Sequence, residues 1–301
     1  MMNKDTFSSF HPLVNMLYFV AILGFSMFFM HPASLSISLI CALTYAIYLG
    51  GKKFVRMGLI LMLPMLIFTA VLNPIFNHQG ATILAYLPNG NPLTLESSMF
   101  GIAAAVMLIT IISWFSCFNT VMTSDKFIYL LGRILPALSL ILSMSLRFVP
   151  RFRAQIRVVS NAQKCIGRNV SSGSILQRAK HGIRILSIMI TWTLENAIET
   201  ADSMKSRGYG LPKRTAFSIF QFDKRDVIAA IYILICTAII ITGSMLEVFR
   251  FRYFPTIRHI GGDFPIFWTM LIFIVYFALC AFPVIMNIRE DIIWKRIESK
   301  I

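Results

Sequence analysis

The side chains able to do chemistry are few and scattered along this 301-residue chain. His11, His31, His78, His181 and His259 have no carboxylate or second histidine at metal-ligand spacing, so each reads as a loop or interface residue. Cys41, Cys117, Cys165, Cys236 and Cys280 are odd in number and never in CxxC spacing, and are expected to be small buried hydrophobes rather than disulfides or ligands. Glu195, Glu199 and Asp202 fall along one helix and could pass for a metal cluster, but a solvated face or pairing with nearby Arg and Lys is the simpler reading. No phosphate-binding GxxxxGK(S/T) occurs, so the chain is not expected to hydrolyse ATP itself, and Gly208 with Gly210 does not make a dinucleotide loop. No catalytic, metal or cofactor site is expected. One charged group is differently placed. Arg207, flanked by Ser206 and Gly208, closes an apolar-periodic segment with a side chain rich in hydrogen-bond donors. The same ending also has a local explanation: cations suit a helix C-terminus, Gly supplies the left-handed residue beyond it, and Pro212 follows where the helix cannot continue.

The elements that carry these residues belong to a membrane protein. A 57% hydrophobic composition with 14% charged residues and a mean hydropathy of +0.73 lies far from soluble domains, where about a quarter of residues are charged. Six apolar runs are near the ~20 residues a spanning helix needs: 13–30, 33–49, 57–72, 99–118, 227–246 and 264–288. The first run lacks a small-residue cleavage site, so a removable signal peptide is not expected. Lys52, Lys53 and Arg56 follow the second run, while 73–96 has no Lys or Arg, which places the first turn inside and the second outside. Six spans then put the N-terminus and the tail with Arg289, Lys295, Arg296 and Lys300 inside. The loop 247–263 fits poorly, since it should lie outside yet holds Arg250, Arg252 and Arg258.

Between the fourth and fifth runs lies a basic window, 125–225, with 17 of the chain's 28 Lys and Arg against only Asp125, Glu195, Glu199, Asp202 and Asp223. Positive-inside bias accounts for much of this excess, and no nucleic-acid-reading module is visible. The expected organisation is thus four spans in 1–124, a cytoplasmic or interfacial domain in 125–225, and two spans with a tail in 226–301. Segment 127–148 is apolar enough to span, but with Arg133 and Pro136 inside it reads as one helix at the interface. After a break at Pro150, Phe152, Ile156, Val159 and Ile166 share a helical face. A second amphipathic helix aligns Leu194, Ala197, Ile198, Ala201 and Met204, and 169–174 reads as a flexible turn between the two.

Three stretches resemble a known family. These are Leu72 to Gly80, with Asn73, Pro74, His78 and Gly80; Leu146 to Pro150 with Ala162 to Gly167; and Met204 to Tyr209. Together they are similar to the CbiQ-like transmembrane T components of energy-coupling-factor transporters, a class of bacterial vitamin and metal importers. The resemblance implies an all-α polytopic membrane protein with long amphipathic coupling helices and no cofactor, placed in the cell membrane with both termini cytoplasmic. It implies two ABC-type ATPase subunits as partners, and a small substrate-binding membrane subunit. It also implies two coupling signatures, Cys165, Ile166, Gly167 and Ser206, Arg207, Gly208. The family's arginine position is matched by Arg207 in the second and falls on Ile166 in the first. Lys164 and Arg168 are near but out of register. Two other classes stay open on the residues alone. A secondary transporter would carry ionisable groups deep in its spans, and the six runs hold essentially none. A membrane enzyme of lipid or isoprenoid chemistry would need clustered acids or histidines, and only the helix around Glu199 offers any.

Overall fold

Two His-Pro pairs open the first two helices in the same way. His11 Nδ1 accepts from Leu13 N at 3.2 Å ahead of α1 (Pro12–Phe28), and His31 Nδ1 accepts from Ala33 N at 3.2 Å ahead of α2 (Pro32–Phe76), with proline at the first helical position each time. A short 3-10 turn, Phe7–Ser9, precedes α1. The computed structural model describes residues 5–86, 90–209, 211, 220–259 and 265–298, without the side chains of 52, 53, 55, 57, 59, 133, 136 and 259. Gly210, Pro212, Phe264 and Lys300, and the side chains of Lys52, Lys53, Arg133 and His259, therefore lie outside the described residues.

The chain is an all-α polytopic membrane protein. After α2 come a hairpin of β1 (Ile83–Tyr86) and β2 (Pro92–Thr94), then α3 (Leu95–Val121), α4 (Ser124–Ile134), α5 (Pro136–Cys165), α6 (Ile175–Ser206) and α7 (Lys224–Met245). A small hairpin of β3 (Phe251–Arg252) and β4 (Arg258–His259) follows, and then α8 (Ile266–Glu298). Four stretches are long and apolar enough to cross a bilayer: Pro32–Gly51, Leu95–Val121, Lys224–Met245 and Ile266–Glu298. Pro12–Phe28 and Ile60–Phe76 are shorter apolar helices. Gly51, at φ +54, breaks α2 into two arms, a conformation glycine reaches without a Cβ clash. The division by packing gives one unit of Met1–Phe127 with Phe220–Ile301 and a second of Ile128–Ile219.

In the first unit the core is aromatic. Phe7, Tyr18, Phe19, Tyr45 and Trp114 are fully buried, with Phe7 and Tyr18 edge-on at 5.0 Å and Tyr18 and Trp114 at 6.1 Å. A polar layer crosses the same core: Trp114 Nε1 donates to Ser38 Oγ at 2.9 Å, and Ser38 Oγ lies 3.0 Å from Ser26 Oγ. Small hydroxyls that pair across helices suit a lipid environment, where they have few other partners. Cys41, Cys117, Cys236 and Cys280 are buried free thiols, as composition suggested, whereas Cys165 is exposed.

At one end of this unit the two hairpins meet. Ala81 N donates to Pro255 O at 3.1 Å, and Tyr253 OH donates to Met30 O at 2.9 Å. The described strands of the two hairpins therefore share an end, even though the second hairpin carries arginines. Arg250 pairs with Glu247, and Arg252 Nε donates to Phe254 O at 2.7 Å, so both cations are engaged locally.

The other end is tied by a polar network. Lys126, in the first turn of α4 and 6% exposed, donates from Nζ to Val121 O at 2.9 Å and to Ser8 O at 2.5 Å, joining the last turn of α3 to the N-terminal segment. Burial pushes its ammonium pKa below the ordinary lysine range, with Asp5 opposing the shift. Asp5 accepts from Tyr45 OH at 2.9 Å and Asn287 Nδ2 at 2.6 Å, and buried Asp226 accepts from His11 N and Asp223 N, both at 2.9 Å.

The second unit departs from the expected segmentation in three ways. Segment 127–148 is two helices, because Leu135 sits at φ −133 ahead of Pro136, and a residue before proline is driven out of the α region. Pro150 does not break the chain and lies inside α5, where only one backbone donor is lost. Ile166 is not on the apolar face of α5, since it is the residue that ends the helix. In α6 the packed residues are Ile185 and Met189, with Trp192 edge-on to Phe152 of α5 at 5.7 Å and Arg151 over the same indole at 5.8 Å. The stripe Leu194, Ala197, Ile198 and Ala201 is exposed instead. The turn 169–174 is well built: Asn169 Oδ1 accepts from Ser171 N, Arg178 Nε donates to Val170 O, and Ser174 with Gln177 forms a capping box.

Candidate functional site

The two helix ends singled out in the sequence have the same backbone. α5 closes with Gly167 N donating to Lys164 O at 3.0 Å and Arg168 N to Gln163 O at 2.9 Å, around Gly167 at φ +79. α6 closes with Gly208 N donating to Lys205 O at 2.9 Å and Tyr209 N to Met204 O at 3.0 Å, around Gly208 at φ +74. Both are Schellman caps, and both need a residue without Cβ at the left-handed position. The capping residues superpose in conformation: Ile166 at φ −89, ψ 11 and Arg207 at φ −85, ψ 10. Ile166 thus occupies the same place as Arg207, and Lys164 and Arg168 lie two residues apart on either side of it.

Both tips are open to solvent. Ile166 is 65% exposed, Cys165, Ser206, Arg207 and Tyr209 are exposed, and Ser206 Oγ donates to Ser203 O at 2.9 Å. The hydrogen bonds that define both caps are made by backbone N–H groups. One tip adjoins the start of α6 and the other closes it, so the 32 residues of that helix set them roughly 48 Å apart along its axis.

The Asn-Pro element does a different job. Asn73 and Pro74 lie in the last turn of α2 rather than in a loop. Pro74 has no N–H for Ala70 O, and Gly101 of α3 approaches that carbonyl so closely that a Cβ there would stand 2.8 Å from it and 3.0 Å from Asn73 Cβ. Ser97 Oγ donates to Asn77 O at 2.6 Å, and Asn91 Nδ2 lies 3.0 Å from His78 Nε2. Gly80, at φ +150, leaves space for buried Glu96, whose carboxylate accepts from Thr82 N and Thr82 Oγ1. Asn73, Pro74, His78 and Gly80 are thereby gathered with Gly101 and Glu96 into a joint between α2 and α3.

Glu195, Glu199 and Asp202 are exposed along α6, and among the described residues no three His, Cys, Asp or Glu converge as a metal site would require. Sequence reasoning missed Lys126, Gly101 and the capping roles of His11 and His31. The repeated His-Pro dipeptide was the available signal for the caps, whereas Ser8, the partner that ties Lys126 to the N-terminal segment, is more than a hundred residues away in sequence and left no local trace.

The family described as CbiQ, cobalt transport protein, matches residues 6–219. Among similar proteins, the energy-coupling factor transporter transmembrane protein EcfT of Lactococcus lactis subsp. cremoris is 33% identical over 111 residues, 36% of this chain and 42% of the relative. That of Streptococcus equi subsp. equi is 29% identical over 189 residues, 58% of this chain and 68% of the relative, and EcfT 1 of Listeria monocytogenes is 28% identical over 202 residues, 62% and 73%. Over four of these relatives the chain spans only between 35% and 42% of their length. With the twin helix tips and the helical membrane architecture, the match over 6–219 shows that this chain belongs to the CbiQ-like family of energy-coupling-factor transmembrane components.

Proposed function

We propose that this chain is the scaffold and energy-coupling subunit of an ATP-driven importer of a vitamin or metal ion. In this reading each tip, Cys165, Ile166, Gly167 and Ser206, Arg207, Gly208, seats in a groove on one of two ABC-type ATPase subunits, and a small membrane protein captures the substrate. The observation that carries it is the pair of solvent-exposed tips with one backbone, held roughly 48 Å apart by a single 32-residue helix, which suits two separate bodies better than one. The exposed apolar stripe of α6 also supports a partner-covered surface. Lys and Arg bias supports a cytoplasmic placement of the tips and both termini, with the β1–β2 hairpin outside, in a bacterial cell membrane; the arginine-bearing β3–β4 hairpin is placed with it by the Ala81 N to Pro255 O hydrogen bond, against that bias. The chain itself is read as non-catalytic. A secondary transporter is not favoured, since the buried charged groups described, Glu96, Lys126 and Asp226, lie in the first turns of their helices and buried His11 caps α1, none of them at mid-span.

Mild detergent extraction of the tagged full chain, co-expressed with neighbouring membrane and ATPase subunits, tests the reading. Recovery with two ATP-hydrolysing subunits and a small membrane protein is expected. Recovery of the chain alone, transporting solute after reconstitution, would overturn it.

A further inference from the structure

The two tips agree in backbone and differ in chemistry in an ordered way. Aligned on the left-handed glycine, they read Gln163, Lys164, Cys165, Ile166, Gly167, Arg168 and Met204, Lys205, Ser206, Arg207, Gly208, Tyr209. Lys164 and Lys205 match, and Cys165 and Ser206 are close in size. The capping residue and the residue after the glycine exchange character: aliphatic then cationic on α5, cationic then aromatic on α6. Because the capping conformations agree to within a few degrees, the side chains of Ile166 and Arg207 leave equivalent backbones. A groove lined with carboxylates or carbonyls would satisfy Arg207. The same groove would strand its acceptors against Ile166, at the cost of unpaired buried polar groups.

Resting on the coupling role proposed above, the geometry points to two unlike docking contacts: Ile166 enters an apolar pocket on one ATP-hydrolysing subunit, while Arg207 enters a hydrogen-bonding groove on the other. Ile166 is already 65% exposed and joins the cap through its backbone N–H alone, so burial of its side chain against a partner leaves the end of α5 in place. Gly167 lets the partner's backbone approach where any Cβ would project. The consequence is a difference in salt response. Apolar burial is indifferent to ionic strength, whereas a charge-assisted contact at an accessible tip weakens as the screening length falls from ~10 Å at 0.1 M salt to ~3 Å at 1 M.

The test uses the full chain co-expressed with its ATP-hydrolysing subunits, carrying Ile166→Ala, Ile166→Leu, Ile166→Arg or Arg207→Ala in turn. Retention of each ATPase is measured in detergent at both salt concentrations, beside the elution profile of the chain itself. Ile166→Ala is expected to weaken one subunit's binding about 5- to 30-fold at either salt, the scale of losing a buried aliphatic side chain. Ile166→Leu is expected to keep binding, and Ile166→Arg to weaken it further than Ala does. Retention by Ile166→Arg equal to or above that of the unaltered chain would overturn the inference, as would full retention by Ile166→Ala. Arg207→Ala separates the two levels of argument. If it releases an ATPase while the Ile166 variants do not, only the apolar contact fails; if none of the variants releases one, the coupling role of the tips fails with it.

Discussion

Replacing Gly101 by alanine tests the joint between α2 and α3, where a family motif becomes packing. A Cβ at Gly101 would stand 2.8 Å from Ala70 O, 3.0 Å from Asn73 Cβ and 3.4 Å from Pro74 Cδ. The first of these is backbone in a neighbouring helix, so relief requires α2 and α3 to separate by a few tenths of an ångström. Overpacking of that kind costs ~1 to 3 kcal/mol. In water, alanine would recover ~1 kcal/mol of this through helix propensity. In a bilayer or micelle the helices are already formed before they associate, so that recovery is largely absent and most of the penalty stays. The expected loss is ~1 to 3 kcal/mol, or roughly 5- to 150-fold in the folded-to-unfolded ratio. Gly24→Ala supplies the control, since a Cβ there meets nothing within 4 Å. Unfolding by a denaturing detergent, followed by fluorescence of the tryptophans including fully buried Trp114, would measure both. Gly101→Ala as stable as the parent, or no less stable than Gly24→Ala, would refute the close approach.

Lys126→Met should destabilise the N-terminal end by ~1 to 3 kcal/mol, because the carbonyls of Ser8 and Val121 lose a buried charged donor; an unchanged melting temperature in detergent would contradict the network. A membrane-impermeant maleimide should label the folded chain at Cys165 alone and reach the other four thiols only after denaturation; more than one label per native chain would show that the burial of Cys41, Cys117, Cys236 and Cys280 is wrong. Single cysteines at Asn91 and Ser206, on a background without the native five, should label from opposite sides of the membrane, and labelling of both from one side would reject the six-span threading.

Hydropathy located the helices because a bilayer demands about twenty apolar residues per crossing, and each of the six runs falls within α1, an arm of α2, α3, α7 or α8 apart from overhangs at the ends of three of them. Prolines were harder to read. Pro136 starts a helix, Pro150 and Pro74 sit inside one, and only the conformation of the preceding residue separates these cases. The tips were legible as motifs, since a glycine after a cation-bearing helix end predicts the Schellman geometry that Gly208 adopts. Ile166 was misread as a helix-face residue, because spacing alone continues the 3.6-residue period past the point where Gly167 stops it. The apolar stripe of α6 was visible by periodicity, but periodicity could not say that the neighbouring stripe of Ile185, Met189 and Trp192 would be the one packed on α5. Lys126, Asp5 and Asn287 meet only through tertiary folding and had no signature along the chain.

The central claim is that Arg207 grips an ATPase, and its substitution by alanine measures this directly. The α6 cap is held by backbone hydrogen bonds from Gly208 and Tyr209, which the substitution leaves in place, and losing a cation near a helix C-terminus costs ~0.3 to 1 kcal/mol. In a docked groove it removes charge-assisted bonds and strands their acceptors, a loss of ~2 to 5 kcal/mol, or roughly 30-fold to several thousandfold in affinity. ATPase retention on the purified complex, read beside the expression and elution of the altered chain, should therefore collapse while the chain stays folded and inserted. Full retention of both ATPases by the Arg207→Ala complex would contradict the account.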